Sequence, residues 1–286
     1  MQIAFQGEPG AYSEAAALEH FGAETVTVPC ETFDAVFAAV ESRACDGGLV
    51  PIENSLAGSI HRNYDLLLQH ALPIVGEHYL RVQHCLIVHP GVTLAEIRKV
   101  ISHPQGLAQC EKYLRSLPGV KSEAVYDTAG SVKIVREQGD RSVAAIASRR
   151  AAKVYGMAIL AEGIEDDPAN FTRFLAVARH GMSRPSMSPQ PVVPGGDAKT
   201  SIVFTLRNVP GSLFKAMSVF ALRDLDLTKI ESRPLVGKPW EYLFYADIEV
   251  DIDDEQYRSL LEELQKKTEF LKILGSYPKG VDNPET

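Results

Sequence analysis

The chain contains a polar segment that runs directly into an apolar one, Asn170-Phe171-Thr172-Arg173-Phe174-Leu175-Ala176-Val177-Ala178. The apolar half has the length and composition of a buried strand, so Thr172 and Arg173 are predicted to lie at a strand end. In α/β folds, ligands bind at such ends. The stretch therefore predicts an α/β fold whose chemistry lies near Thr172.

Strands and helices alternate over about the first 180 residues. Apolar runs predict strands at 49–52, 99–101 and 143–147, and helical spacing predicts helices at 60–68 and 107–117. This alternation predicts an α/β domain with a mainly parallel sheet.

Polar clusters follow several of these strands. Glu53, Asn54 and Ser55 end one strand, and Ser102 ends another, with Gln105 and Gln109 in the helix that follows. A third cluster contains Thr128. A strand that ends in a polar loop and a helix start favours an anionic ligand. The alternative is that these loops only connect and cap helices, as most do.

A second unit follows a break in the pattern. Residues 182–197 contain four prolines and two glycines without periodicity, which predicts a linker. Beyond it, the predicted element order is βαββαβ, which is typical of a ferredoxin-like sandwich.

The composition limits the class of partner. The chain has 286 residues, 45% of them hydrophobic and 23% charged, and a net charge of -8. This length allows about two domains. The acidic balance argues against nucleic acid and against an anionic membrane, since both need basic surface. An anionic substrate would have to be bound by local donors.

The cysteines and the apolar runs bear on location. The four cysteines lack CxxC spacing, which favours a reducing, cytoplasmic location. The start of the sequence is not typical of a signal peptide. No run reaches the roughly 18 apolar residues of a membrane span.

Four motifs, in this order along the chain, resemble the prephenate dehydratase family: Pro51-Ile52-Glu53-Asn54-Ser55, Ser102-His103-Pro104-Gln105, Asp127-Thr128-Ala129 and Asn170-Phe171-Thr172-Arg173-Phe174. The unit after the linker resembles the ACT regulatory domain of that family, through Pro210-Gly211-Ser212-Leu213 and Glu231-Ser232-Arg233-Pro234. The resemblance covers essentially the whole chain.

The resemblance implies a domain organisation. Residues 1–181 would form a two-lobed catalytic domain similar to type II periplasmic binding proteins, 182–197 the linker and 198–286 the ACT domain. One lobe would combine about 1–76 with 160–181, and the other would be 77–159. The cleft between the lobes would hold the active site.

The implied reaction is the loss of water and carbon dioxide from prephenate to give phenylpyruvate, on the route to L-phenylalanine. No metal and no organic cofactor is expected. The main chemical need is a proton donor at the departing hydroxyl. The family assigns this role to Thr172; an alkanol is a weak acid, so we expect Thr172 mainly to position and hydrogen-bond that oxygen.

The resemblance implies different roles for the other site residues. Arg173 either clamps a substrate carboxylate or forms a scaffold salt bridge, for instance with Glu53. Phe174 is expected to pack the cleft wall, and Glu53 to orient donors from behind the substrate. The neutral donors expected to bind the two carboxylates are Asn54, Ser55, Ser102, Gln105, Gln109 and Thr128.

The ACT resemblance implies paired domains that bind L-phenylalanine as a feedback inhibitor. The protein would be a homo-oligomer, dimeric through these domains, with a tetramer expected. The implied effector residues are Asn208, Gly211, Ser212, Leu213, Glu231, Ser232 and Arg233. Ser212 and Phe214 stand where alanine and valine are more common in the family. This difference is expected to affect the affinity for the effector and the preference among aromatic effectors.

Two alternatives stay open. Arogenate dehydratase acts on a substrate with an amino group in place of the keto group of prephenate. A non-catalytic amino-acid sensor, the other alternative, would keep the Asn208 and Glu231 motifs but would not need Thr172 and Arg173.

Overall fold

The computed structural model describes residues 1–182, 198–235 and 237–280. The predicted linker at 182–197 lies, apart from its first residue, outside the described residues. The strands are β1 (Gln2–Gln6), β2 (Val26–Cys30), β3 (Gly47–Asn54), β4 (Gly58–Ser59), β5 (Ile74–Arg81), β6 (Cys85–Val88), β7 (Lys99–Ser102), β8 (Lys121–Ala124), β9 (Val143–Ala147), β10 (Ala158–Glu162), β11 (Phe171–Ala178), β12 (Ala198–Thr205), β13 (Leu227–Pro234), β14 (Tyr242–Ile248) and β15 (Phe270–Pro278). The helices are α1 (Tyr12–Phe21), α2 (Phe33–Glu41), α3 (His61–Gln69), α4 (Pro104–Gln109), α5 (Glu111–Arg115), α6 (Thr128–Gln138), α7 (Arg149–Tyr155), α8 (Ser212–Ala221) and α9 (Arg258–Lys267). No helix in the described ranges is long and apolar enough to cross a bilayer.

The predicted α/β class is confirmed, and the described residues before the predicted linker form two sheets, as expected of a two-lobed domain; the sheets are mixed, however, rather than mainly parallel. The first sheet has the order β2-β1-β3-β11-β5, with β4 beside β3, and the second has the order β10-β6-β9-β7-β8. In the second sheet, β6 pairs antiparallel with both β9 and β10. β6 follows a strand of the first sheet and β10 precedes one. Periodicity identifies a strand but not the sheet that it joins.

Side-chain caps fix where several helices begin. Thr32 Oγ1 accepts from Ala35 N at 3.1 Å, and Asp127 Oδ1 accepts from Gly130 N at 2.7 Å. Such caps satisfy N–H groups that have no partner within the helix. Because both helices follow strands, the caps hold polar residues at the ends of those strands.

The predicted helix at 107–117 is two helices, α4 and α5, which meet at Cys110. Asp166 causes the break: its N–H donates to Gln109 O at 2.7 Å, while its carboxylate accepts from Lys112 N at 3.0 Å. Both backbone groups would otherwise be available for a continuous helix. A tertiary contact thus overrides local propensity and leaves Gln109 at a helix end.

The C-terminal sheet is antiparallel, with the order β13-β14-β12-β15. With α8 and α9 it confirms the predicted βαββαβ order. Residues 61–77, which contain α3 and the start of β5, belong to the same compact unit as this sheet. Lys272 Nζ donates to the last carbonyls of α3, those of Leu67 at 3.2 Å and Leu68 at 3.0 Å. The predicted boundaries at 181 and 198 stay a prediction.

The buried His20 in α1 gives a first prediction, on stability against pH. Its side chain is 7% exposed, and its Nε2 has no partner in the described ranges. Burial is the main cause that lowers the pKa of His20 to about 4, and the charge of the nearby His78 is the second cause. The unfolded chain takes up the proton near pH 6.5 and the folded chain only near pH 4, so stability falls as the pH falls through that window.

We expect the free energy of unfolding to drop by about 3 kcal/mol across this window because of His20. Urea unfolding between pH 7 and 4 measures the drop, and His20→Phe is the control because it cannot titrate. Carboxylates contribute to both proteins, so the difference between the two slopes isolates His20. Equal slopes would contradict the prediction.

Candidate active site

A cavity of about 600 Å³ lies within the first compact unit, residues 1–60 and 78–174. Its walls come from the ends of strands in the first sheet and from the N-terminal parts of the helices α1, α2, α4 and α6. The lining residues used below are Tyr12, Ser13, Thr32, Phe33, Asn54, His84, His103, Gln105, Gly106, Gln109, Asp127, Thr128, Thr172 and Phe174.

Helix N-termini converge on this cavity. The first turns of α1, α2 and α6 contribute Ser13, Phe33 and Thr128 to the wall, and α4 contributes Gln105. Each N-terminus carries a partial positive charge and N–H groups that point outward. Among the described residues that line the cavity, none is lysine or arginine. An anion here would therefore be bound by N–H groups and neutral side chains.

The hydroxyl of Thr172 lies in the wall as a hydrogen-bond donor. Asn54 Oδ1 accepts from Leu56 N at 3.1 Å and from Ala57 N at 2.9 Å, which fixes the orientation of the Asn54 amide. Asn54 Nδ2 then donates to Thr172 Oγ1 at 3.0 Å. Within the described ranges, the hydrogen of the Thr172 hydroxyl has no recorded protein acceptor. It is therefore available to an oxygen in the cavity.

The alternation of β11 separates the three predicted catalytic residues. Thr172 and Phe174 line the cavity, whereas Arg173 does not. Successive side chains of a strand point to opposite faces. Arg173 is 6% exposed, and Glu53, beside Asn54 in β3, is also absent from the wall. This placement favours the scaffold alternative for Arg173 over a carboxylate clamp.

The predicted donors fall into two groups. Those that line the cavity are Asn54, Gln105, Gln109 and Thr128. Ser102 and Ser55 are not in the wall. Ser102 is fully buried, and its Oγ donates to Ile146 O at 2.6 Å. A Cβ added at Gly106 would lie 2.9 Å from Ser102 Oγ. Ser102 therefore packs directly beneath the first turn of α4.

Ser55 holds two segments together next to the cavity. Its Oγ donates to Ala169 O at 2.7 Å and accepts from Phe171 N at 2.9 Å. These bonds join the end of β3 to the start of β11. A polar residue after a strand can thus serve the backbone as well as a ligand, and the sequence does not separate the two uses.

Other wall residues were not predicted as site residues. Thr32 and Asp127 could have been found from the sequence, because each is a residue type that caps helices and each stands just before a helical pattern. Burial is the main cause that raises the pKa of Asp127 above its ordinary value, although hydrogen bonds from Gly130 and Ala129 oppose it. His84 lies in the turn between β5 and β6, and no motif marks it. Only the fold brings it to the wall.

A second cavity, of about 350 Å³, lies in the C-terminal sheet and helices. Four of the predicted effector residues line it: Asn208, Gly211, Ser212 and Leu213. Gly211 precedes α8 with φ 80° and no side-chain cap, so the first N–H groups of α8 have no partner from a capping side chain. A carboxylate fits such an N-terminus.

The other predicted effector residues, Glu231, Ser232 and Arg233, lie in β13 outside this cavity. Arg233 Nη2 donates to Asp65 Oδ2 at 2.9 Å, within the same compact unit. Glu231 lies 3.6 Å from Lys229 Nζ. Within one copy of the chain, these three residues therefore do not meet the Asn208 group.

The fold and the first cavity define an α/β protein whose site combines helix N-termini and neutral donors with the carboxyl groups of Glu31, Asp34 and Asp127. The family model of prephenate dehydratase matches residues 3–182. Arogenate dehydratase/prephenate dehydratase 2 of Arabidopsis thaliana is 49% identical over 97% of this chain and 73% of its own length. The chain therefore belongs to the prephenate dehydratase family.

Two solved structures are similar over nearly the whole chain. Prephenate dehydratase of Arthrobacter aurescens in complex with L-Phe is 30% identical, with a TM-score of 0.86, over 97% of this chain and 90% of that one. A structure described as GqqA, a novel type of quorum quenching acylase, is 37% identical, with a TM-score of 0.88, over 98% of both chains.

Proposed function

We propose that the protein converts prephenate to phenylpyruvate, with loss of water and carbon dioxide, in L-phenylalanine biosynthesis. The observation that carries the proposal is the Thr172 hydroxyl, held by Asn54 and available to a cavity surrounded by helix N-termini. The ring carboxylate leaves as carbon dioxide, and its bonding electrons complete the aromatic ring. The ring C–O bond breaks, and the departing oxygen takes a proton to become water.

The residues divide this work between them. Thr172 donates a hydrogen bond to the departing oxygen, and Asn54 keeps that hydroxyl in place. Gln105, Gln109, Thr128 and the helix N-termini bind the two carboxylates. The proton is consumed from solvent through the site, because an alkanol does not remain ionised near neutral pH.

The experiment that tests the proposal supplies the purified full chain with prephenate and with arogenate in separate reactions. We expect phenylpyruvate from prephenate. Phenylalanine from arogenate alone would instead make the protein an arogenate dehydratase, the alternative that the name of the Arabidopsis relative also contains. Aromatic product from neither substrate would refute the proposal and favour a sensor.

We do not propose acylase activity on the strength of the GqqA likeness. Amide hydrolysis through a hydroxyl nucleophile needs that hydroxyl beside a base. In the described ranges, the recorded ring-nitrogen hydrogen bonds of the cavity histidines go to Tyr12, Gln109 and the backbone of Gln105. Among the described residues, no serine or threonine of the cavity wall is hydrogen-bonded to these histidines.

We infer that L-phenylalanine binds at the Asn208 cavity as a feedback inhibitor. The first turn of α8, which no side chain caps, and the apolar Leu213 within it support this inference, and the A. aurescens relative was solved with L-Phe. Adding L-phenylalanine to the prephenate assay should lower the rate. An unchanged rate at millimolar L-phenylalanine would contradict it.

We also propose a homo-oligomer that pairs through β13, and a cytoplasmic location. β13 is an edge strand, so one of its sides can take a strand from a second copy. Such pairing would bring Glu231, Ser232 and Arg233 to the Asn208 group of a partner. All four cysteines lie in the described ranges as free thiols, which supports a reducing compartment.

A further inference from the structure

His84 links the wall of the first cavity to a chain of hydrogen bonds. Its side chain is 1% exposed. Its Nδ1 lies 2.8 Å from the Tyr12 hydroxyl, and its Nε2 lies 2.8 Å from Gln109 Oε1. The Tyr12 hydroxyl also lies 2.9 Å from Gln83 O. The hydrogen-bond chain thus leads from the Tyr12 hydroxyl, which faces the two acceptors Gln83 O and His84 Nδ1, through His84 to Gln109 in the cavity wall.

The positions of the hydrogens in this chain follow from donor and acceptor rules. Gln109 turns its carbonyl oxygen, which can only accept, to His84 Nε2, so that nitrogen carries the hydrogen. Burial is the main cause that lowers the pKa of His84. Burial also raises the pKa of Tyr12, so the phenol keeps its hydrogen. A neutral His84 with its hydrogen on Nε2 donates to Gln109 Oε1, while its Nδ1 and Gln83 O are both acceptors for the single hydrogen of the Tyr12 hydroxyl.

The orientation of the Gln109 amide is the consequence. With Oε1 bonded to His84, the NH₂ group is turned away from the imidazole, and it has no recorded protein acceptor in the described ranges. Gln109 itself lines the cavity. The break of the helix at Cys110 leaves Gln109 at the end of α4, where its amide reaches the wall.

We propose that His84 is a positioning residue that presents the NH₂ group of Gln109 to a substrate oxygen. This inference rests on the proposed function, since the oxygen is taken to be that of a carboxylate or keto group of prephenate. Without the Nε2–H, the Gln109 amide can turn its oxygen to the cavity, where it repels an anion. His84 thus acts on substrate binding more than on the departure of the hydroxyl.

The test compares His84→Gln with His84→Met in the full chain. The glutamine amide nitrogen is as many bonds from the backbone as imidazole Nε2, so it can donate to Gln109, whereas methionine has a similar shape and no donor. We expect His84→Met to raise KM for prephenate about tenfold with a smaller change in kcat. His84→Gln should stay within about threefold of the wild type.

A role in packing alone predicts a different pattern. Equal KM values for the two variants, or a wild-type KM in His84→Met, would overturn the inference. Should His84→Met fail to fold, as thermal unfolding would show, Gln109→Glu tests the same group: a carboxylate in place of the NH₂ should raise KM by more than tenfold, and an unchanged KM would again overturn it. Wild-type protein inactive on both prephenate and arogenate would refute the proposed function itself, which separates the two failures.

Discussion

Thr172→Val is expected to lower kcat for prephenate by about 10²-fold or more while the protein stays folded. Valine has the shape of threonine without the hydroxyl, and Thr172 is 9% exposed in the cavity wall. The lost group is the hydroxyl whose oxygen accepts from Asn54 Nδ2 at 3.0 Å. The hydrogen bond is needed most as charge develops on the departing oxygen, so kcat should fall more than KM rises.

Thr172→Ser is the matched control, because it keeps the hydroxyl and removes only a methyl group. It should retain most of the kcat lost in Thr172→Val. Steady-state kinetics of phenylpyruvate formation, with far-UV circular dichroism for folding, measure both variants. Near-normal turnover in Thr172→Val would remove this hydroxyl from the mechanism, and equal losses in both variants would indicate disturbed packing instead.

The fold class could be predicted from the chain because its signals are local. Apolar runs such as Val143–Ala147 mark buried strands, and Thr32 marks a helix start. The direction in which neighbouring strands pair could not be predicted, since β6 and β9 look alike as apolar runs whichever partners they take. The break at Cys110 was also hidden, because Asp166, which causes it, is 56 positions away in sequence.

The sequence could predict which segments form the candidate site, but not which of their side chains line it. The motif that contains Thr172 named three adjacent residues, and the strand alternates their faces, so Arg173 leaves the wall. Ser102 looked like a ligand for the same reason as Gln105, yet it is buried beneath Gly106. Such differences depend on side-chain direction, which the motifs alone do not fix.

A buried ion pair connects β12, which follows the predicted linker, with β5, which precedes it. Lys199 at the start of β12 and Glu77 in β5 form an ion pair, with Nζ to Oε1 at 2.8 Å and side-chain exposures of 2% and 0%. Glu77 Oε1 also accepts from Gly280 N at 2.9 Å. Cutting the chain after residue 181 would remove Lys199 and Gly280 from this carboxylate. We therefore expect single substitutions, rather than truncation, to report on regulation.

Lys199→Met is expected to destabilise the protein by about 3–5 kcal/mol, because it leaves the carboxylate of Glu77 buried without this cation. A charge that has left water costs several kcal/mol unless it is paired. Urea unfolding followed by circular dichroism measures the loss. Lys99→Met is the matched control: its partner Glu123 is 59% exposed, and pairs at the surface contribute at most about 1 kcal/mol.

The double variant Lys199→Met with Glu77→Leu separates pairing from packing. It removes both charges and keeps apolar volume, so it should recover much of the stability lost in Lys199→Met. A double variant no more stable than Lys199→Met would mean that the buried charge of Glu77 is not the cause of the loss. A Lys199→Met protein as stable as the wild type would contradict the prediction and show that this pair does not hold β5 to the C-terminal sheet.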